Sequence, residues 1–222
     1  MPKSNPFKHL QQDNNEKDDN ESSSQSKTKA KRVTLGIFVA FLLLFPHYAP
    51  WEPSYEQGNS LIQMIFSLYF FVANQTLGIV HEAGHGVCYI LPCPEFLTMA
   101  NGTIFQLLFP GLIAYYYYKK DNGFAALIAL FFVGFSLQYT AWYLSTAHEG
   151  LILPAHKSFL GVDAIHDFNY MLSAMGLLAY ESLIAGLTRF VAYLIMLISV
   201  IGMFFDAFPN EKKKIIKRKK NF

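Results

Sequence analysis

Positive charge is nearly absent from the middle of this chain. Residues 33–210 contain only four of the 18 Lys and Arg residues, whereas residues 1–32 and 211–222 hold seven each. A nucleic-acid surface would need basic side chains spread over the folded part, so the sequence argues against that class of partner. The two basic tails are better suited to setting membrane topology or to contacting anionic lipid.

Cysteine is equally scarce, with only Cys88 and Cys93. Two cysteines do not make a disulfide framework, so both are predicted to be reduced packing residues. Cys88 follows His85 by three residues and would share its face of a helix. A supplementary thiolate ligand of a metal is therefore a minor alternative for Cys88.

Long apolar runs replace the missing charge, and 52% of the residues are hydrophobic. They predict an all-α, multi-pass transmembrane helix bundle of about five spans. The predicted spans are residues 33–48, 61–91, 98–118, 124–145 and 181–205, with a short interfacial helix at 168–178. Residues 1–32 are predicted to be a disordered cytoplasmic tail, 33–207 a transmembrane metallopeptidase-like domain, and 208–222 a basic C-terminal tail.

The basic residues Lys27, Lys29, Lys31 and Arg32 before the first span predict a cytoplasmic N-terminus. A second span that returns from the outside would carry His81 to the cytoplasmic third of the bilayer. Five spans would also leave the two termini on opposite sides, although both tails are basic.

The second span contains the motif His81-Glu82-Ala83-Gly84-His85, which reads H-E-x-x-H. On a helix, two histidines four residues apart project from the same face, a spacing that suits one zinc ion. Glu82 is placed to act as the general base on water activated by that ion. Ionisable groups inside a membrane are costly and are usually functional.

A third protein ligand is expected from residues 146–167, which hold three histidines and three acidic residues. His166 and Asp167 directly precede an apolar run and so mark a helix start. Either of them is predicted to complete the metal site, with its neighbour as the orienting partner. The alternative is that Asp167 only caps the helix. His148 and Asp163 are weaker candidates.

Polar residues also mark the faces of the predicted spans. Asn74, Gly78, His81, His85 and Cys88 form one stripe at helical spacing, which indicates a face turned to protein or to a water-filled cavity. Asn74 and, in the third span, Gln106 are weak candidates for substrate binding. Gln106 is equally suited to holding a neighbouring helix by a hydrogen bond.

With HEAGH in an apolar helix and a candidate ligand in a later segment, the chain resembles the site-2-protease-type intramembrane zinc metalloproteases. In that family the glutamate activates water on zinc, and the third ligand is an aspartate within Leu-Asp-Gly. The nearest equivalents here are Val162-Asp163-Ala164 and His166-Asp167-Phe168. The chain also resembles a set of small bacterial membrane proteins that share HEAGH, a Gly-Thr-x-x-Gln-Leu-Leu-x-Pro-like span (Gly102 to Pro110) and a His-Asp-aromatic-Asn-Tyr stretch.

These resemblances imply a multi-pass protein of the bacterial inner membrane that binds one Zn²⁺. The leading hypothesis is a zinc-dependent intramembrane metallopeptidase that hydrolyses a peptide bond of a membrane-embedded substrate. A second hypothesis is a zinc-dependent membrane hydrolase of a lipid or small amide. A third is a non-catalytic membrane assembly or transport factor. The expected partners are a membrane protein or peptide substrate and the lipid bilayer, not nucleic acid.

Overall fold

The computed structural model describes residues 8–48, 60–154 and 163–209. This part of the chain is mostly helical. Its α-helices are α1 (Lys8–Tyr48), α2 (Leu61–Ile90), α3 (Glu95–Lys119), α4 (Gly123–Ser145), α5 (Asp167–Ala174) and α6 (Glu181–Ala207). Between α4 and α5, strands β1 (Ile152–Leu153) and β2 (Ala164–Ile165) pair in antiparallel register, and short 3-10 helices occupy Ala147–Glu149 and Leu178–Tyr180.

Three helical segments of the described chain are long and apolar enough to cross a membrane, at residues 95–119, 123–149 and 178–207. They match the third, fourth and fifth predicted spans, and their boundaries agree within a few residues. The first two predicted spans fall in α1 and α2, which are not among these three segments. The count of five spans is therefore not confirmed.

The N-terminal segment differs from its prediction, because α1 begins at Lys8 and continues without interruption into the first apolar run. No Gly or Pro lies between Lys8 and Val33. A helix already fixed by packing of its apolar part can propagate through such a segment at little further cost. Of the predicted basic tail, residues 210–222 lie outside the described chain.

One end of the helix bundle collects positive charge, and we call it the basic end. The Lys31 ammonium of α1 lies 2.6 Å from a carboxylate oxygen of Asp206, near the end of α6. The same ammonium lies 5.4 Å from the ring centroid of Phe124, at the start of α4. The Arg32 guanidinium lies 4.6 Å from the ring centroid of Phe208. The basic residues before the first apolar run and the end of α6 therefore share one end of the bundle.

Helix packing fixes the direction of every long helix relative to the basic end. The short turn between α3 and α4 makes them antiparallel. Gly134 of α4 packs against Met196 of α6, and Gly202 of α6 packs against Leu127 of α4, so these helices are also antiparallel. α2 and α3 are antiparallel too, because the α2 cavity-lining residue Val72 lies with the C-terminal half of α3 while His85 contacts its first turn.

It follows that α1 and α2 run in the same direction, away from the basic end. The predicted antiparallel course of the motif helix is wrong. His81 and His85 lie toward the opposite end, which we call the ligand end. Among the described residues it comprises the α2–α3 turn, residues 146–154 and residues 163–180. Residues 49–59, which connect α1 to α2, lie outside the described residues.

The cysteine prediction is also wrong, because Cys88 and Cys93 form a disulfide at the ligand end. The turn Leu91–Pro94 folds the chain back and leaves the two Cα atoms 5.0 Å apart, a usual separation for a disulfide. The bond ties the last turn of α2 to the start of α3. It also rules out a thiolate ligand from Cys88.

Candidate metal centre

The site begins with the close contact of α2 and α3. A Cβ atom added at Gly84 would overlap the backbone carbonyl of Asn101, so only glycine allows the helices to approach this closely. The Asn101 side-chain amide donates a 2.6 Å hydrogen bond to the Gly84 carbonyl. Gly78, His81, His85 and Cys88 are all buried, which confirms the predicted protein-facing stripe for four of its five residues.

The third group reaches the site from the segment between α4 and α5. The backbone N–H of His166 donates to the carbonyl of Leu151 at 2.8 Å, which extends the small hairpin. The backbone N–H of Asp167 donates to the Tyr143 hydroxyl at 3.3 Å. The N-cap position of α5 is His166, and Asp167 is the first helical residue with its side chain turned to α2. The interpretation of Asp167 as a simple N-cap is therefore wrong.

His81, His85 and Asp167 come together in one cluster, and their potential ligand atoms all lie within 4.8 Å of one another. Asp167 Oδ2 is 2.8 Å from His81 Nε2 and 3.3 Å from His85 Nε2. The two histidines are each 9% exposed and Asp167 is 3% exposed. Among the described residues, this is the one group with the ligand types and spacing of a metal site.

The other nitrogen of each imidazole is fixed by an oxygen acceptor. His85 Nδ1 lies 2.7 Å from the Thr98 carbonyl, which only accepts, so this nitrogen must carry a hydrogen. His81 Nδ1 lies 3.2 Å from Gln106 Oε1. The Gln106 amide cannot be turned around, because its Nε2 donates to the Ser136 carbonyl at 3.2 Å. His81 Nδ1–H therefore also donates, so that a neutral ring at either position would carry its lone pair on Nε2.

Three potential ligand atoms thus converge on one buried point, where either a proton on an imidazole or a metal ion must lie between them. Burial opposes ionisation of Asp167, but its contacts with His81 and His85 hold the pKa of this carboxyl below its usual value. The group is therefore an anion at neutral pH. Two imidazoles and a carboxylate, each ring oriented by a hydrogen bond from Nδ1, form the donor set that zinc prefers. The residues present thus fit a bound divalent metal ion.

Gly102 of α3 leaves room in front of the two imidazoles. A Cβ atom at this position would lie 2.6 Å from His81 Nε2 and 2.7 Å from His85 Nε2, closer than side chains tolerate. Glycine here keeps open the space in front of the lone pairs, as a metal ion would require. The sequence analysis named Gly102 only as the first residue of a motif-like span and not as part of the site. The Thr98 carbonyl was not identified, because a backbone acceptor carries no residue signature.

His166, the other candidate for the third ligand, does not join the cluster. It is 1% exposed, and its ring stacks on Tyr143 with centroids 4.4 Å apart. The Thr146 hydroxyl donates to the Tyr143 carbonyl at 2.7 Å, so it accepts from His166 Nε2 at 3.1 Å. Burial lowers the pKa of His166, which favours the neutral ring. His166 thus supports the segment that carries Asp167.

The weaker candidates lie elsewhere. His148 is exposed, and its Nδ1 lies 2.5 Å from a carboxylate oxygen of the buried Glu181. Asp163 is exposed in the hairpin segment and is not among the clustered groups. The side chain of Asn74 lies outside the described part of the structure, so its predicted role stays a prediction.

Gln106 connects three helices by hydrogen bonds, which agrees with the alternative that it holds a neighbouring helix. Besides His81 on α2, its amide contacts the Ser136 carbonyl and the hydroxyls of Ser136 and Thr140 on α4. It is 2% exposed. Gln106 is therefore a positioning residue for His81, and its burial leaves little surface for a substrate.

We expect Gln106→Leu to lower metal affinity by about 10- to 100-fold, because His81 Nδ1–H would lose the acceptor that orients the ring. A competition titration against a chelator of known affinity measures this. Gln138→Leu is the matched control, since Gln138 is also a buried glutamine but donates to the Arg189 carbonyl on α6. Equal losses in both variants would contradict the assigned role.

Glu82 and Tyr143 complete the surroundings of the cluster. Glu82 is half-buried on the helix that carries both histidines and directly follows His81. The Tyr143 ring lies 5.9 Å from the His81 ring, edge to face, while its hydroxyl accepts the Asp167 N–H. Tyr143 was not identified from the sequence, where it is one aromatic residue among many in an apolar span.

Comparisons of the chain with protein-family models, with curated proteins and with solved structures gave no match. The resemblance to site-2-protease-type enzymes therefore stays a prediction from the motif.

Proposed function

We propose that this chain is a zinc-dependent intramembrane metallopeptidase that cleaves a peptide bond of a membrane-embedded substrate. The observation that supports the proposal is the convergence of His81, His85 and Asp167, with both Nδ1 hydrogens held by oxygen acceptors. Two nitrogen donors and one carboxylate would hold zinc as the three protein ligands of catalytic rather than structural zinc sites do. Glu82 adjoins the first ligand in the sequence, where a general base is needed.

Zinc held by these three residues would acidify water and polarise a substrate carbonyl. Glu82 would accept a proton from the attacking water, while the water oxygen bonds to the carbonyl carbon. The carbon–nitrogen bond then breaks, and Glu82 returns the proton to the leaving amine. Atoms and charge balance, with one water consumed for each bond cleaved. The bacterial inner-membrane location is part of this proposal.

A second candidate, hydrolysis of a lipid or small amide, is favoured by one feature. An apolar cavity of about 650 Å³ lies between α2, α3 and α4. Its lining includes Leu77 and Pro110, which lie one helical turn from His81 and Gln106, respectively. Such a space suits an acyl chain as well as an apolar peptide segment.

The test is cleavage by purified protein in zinc-supplied proteoliposomes. The substrates are a panel of labelled single-span transmembrane peptides, beside acyl lipids and small acyl amides. We expect cleavage of at least one peptide, with the rate lowered about 100- to 10,000-fold in Glu82→Gln because the general base is lost. Zinc content should stay near one per chain in that variant. Glu149→Gln, an exposed acidic residue at the same end, is the matched control and should cleave normally.

Peptide cleavage that persists in Glu82→Gln would rule out the proposed mechanism. Turnover of lipids or amides alone would favour the second candidate. Zinc-loaded protein that hydrolyses nothing would leave the metal a structural role and favour a non-catalytic assembly or transport factor.

A further inference from the structure

The two ends of the helix bundle differ in charge and in cysteine chemistry. In the sequence, sixteen of the 18 Lys and Arg residues precede the first apolar run, follow α6 or lie at the α3–α4 turn: they fall in residues 1–32, in residues 211–222, and at Lys119 and Lys120. The described residues of the ligand end, 88–97, 146–154 and 163–180, contain no Lys or Arg. Cytoplasmic loops and tails of membrane proteins carry the excess of Lys and Arg. The charge distribution therefore assigns the basic end to the cytoplasm.

A contact between α1 and α6 supports this orientation without any count of spans. Lys31 and Asp206 form a 2.6 Å ion pair, so the flanks of the first and last apolar helices lie on the same side. The five-span scheme had placed them on opposite sides, in conflict with the charge of the tails. The parallel course of α1 and α2 removes that conflict.

An independent observation concerns the other end. Cys88 and Cys93 are joined by a disulfide beside the last turn of α2, one helical turn beyond His85. Disulfides persist in oxidising compartments outside the cytoplasm and are rare within it. The Lys and Arg residues at the basic end and the disulfide at the ligand end thus indicate the same orientation, with the basic end in the cytoplasm.

We propose that the His81–His85–Asp167 cluster lies near the extracytoplasmic side of the membrane, and that its substrate enters from that side. His85 precedes the end of α2 at Ile90 by five residues, or about 8 Å of helix. Asp167 comes from α5, outside the long helices. A substrate reaching the cluster is therefore an extracytoplasmic juxtamembrane segment of a membrane protein. This substrate class rests on the proposed peptidase function, but the orientation does not.

Labelling of introduced cysteines tests the orientation without metal or activity. Ser173→Cys places an exposed thiol on α5 at the ligand end, and Lys120→Cys places one in the exposed α3–α4 turn at the basic end. Intact bacterial cells producing each full-length variant are treated with a membrane-impermeant maleimide, before or after permeabilisation. We expect Ser173→Cys to react in intact cells and Lys120→Cys to react only after permeabilisation. The wild-type chain supplies the background.

The reverse pattern, or reaction of both or neither variant in intact cells, would overturn the proposed orientation. A second readout uses the native cysteines. When cells are lysed in excess alkylating agent without reductant, the wild-type chain should gain no mass, because Cys88 and Cys93 are paired. Two added groups would place the ligand end in a reducing compartment and overturn the proposal. Failure of peptide cleavage would leave both readouts unchanged, so the two proposals fail separately.

Discussion

Protein purified as Asp167→Ala is expected to contain almost no metal, while His166→Phe retains about one ion per chain. Asp167 supplies the only carboxylate in the cluster, and its Oδ2 lies within 3.3 Å of both imidazole nitrogens. Its loss leaves two protein ligands, fewer than the three of known catalytic zinc sites. Elemental analysis of the detergent-purified variants after zinc addition and removal of excess ion measures the effect.

His166→Phe is the matched control because it changes the adjacent residue and keeps a ring stacked on Tyr143. It gives up the hydrogen bond to Thr146, so its thermal midpoint should fall, whereas its metal content should not. For Asp167→Ala, in contrast, we expect the metal content itself to fall. Should His166→Phe lose the metal and Asp167→Ala keep it, the assignment of the third ligand would be reversed.

The sequence predicted the parts of this site that depend on spacing along a single helix. His81 and His85 share a face because they lie four residues apart, and burial of the stripe followed from its small and polar residues. The third ligand could only be narrowed to His166 or Asp167. Neighbouring residues at a helix start point in different directions, and the choice depends on distant contacts. Here the hairpin bond to Leu151 and the Tyr143 hydroxyl turn Asp167 toward α2.

The course of α2 could not be predicted because it depends on how the chain returns between α1 and α2. The spans were predicted from the length of the apolar runs and the charge of the tails. Because successive spans were assumed to alternate in direction, α2 was assigned the wrong direction. The direction of α2 also determines at which end of the bundle Cys88 and Cys93 lie. A motif helix running into the cytoplasm would have placed Cys88 and Cys93 in a reducing compartment, where a disulfide is rare. The structure instead gives α2 the same direction as α1 and joins the two cysteines in a disulfide.

Gly102→Ala is expected to lower metal affinity by more than about 100-fold, beyond the usual effect of residues that merely orient a ligand. The added methyl group would lie within 2.7 Å of both Nε2 atoms, where a metal ion would bind. Neither ring can turn aside freely. Nδ1 of His81 is held by Gln106, and Nδ1 of His85 is held by the Thr98 carbonyl. The methyl group therefore either fills the metal position or breaks one of these bonds.

Gly111→Ala is the control for this substitution, because Gly111 lies on the same helix and a Cβ atom there would meet nothing within 4 Å. Alanine is favoured over glycine inside helices by up to about 1 kcal/mol, so both variants gain the same backbone term. Zinc titration and thermal unfolding, measured on both, separate site occlusion from helix stability. We expect Gly111→Ala to bind zinc as the wild type does, and wild-type affinity in Gly102→Ala would contradict the cluster as the metal site. A lower zinc affinity in Gly102→Ala alone would therefore show that the space before the two histidines is used.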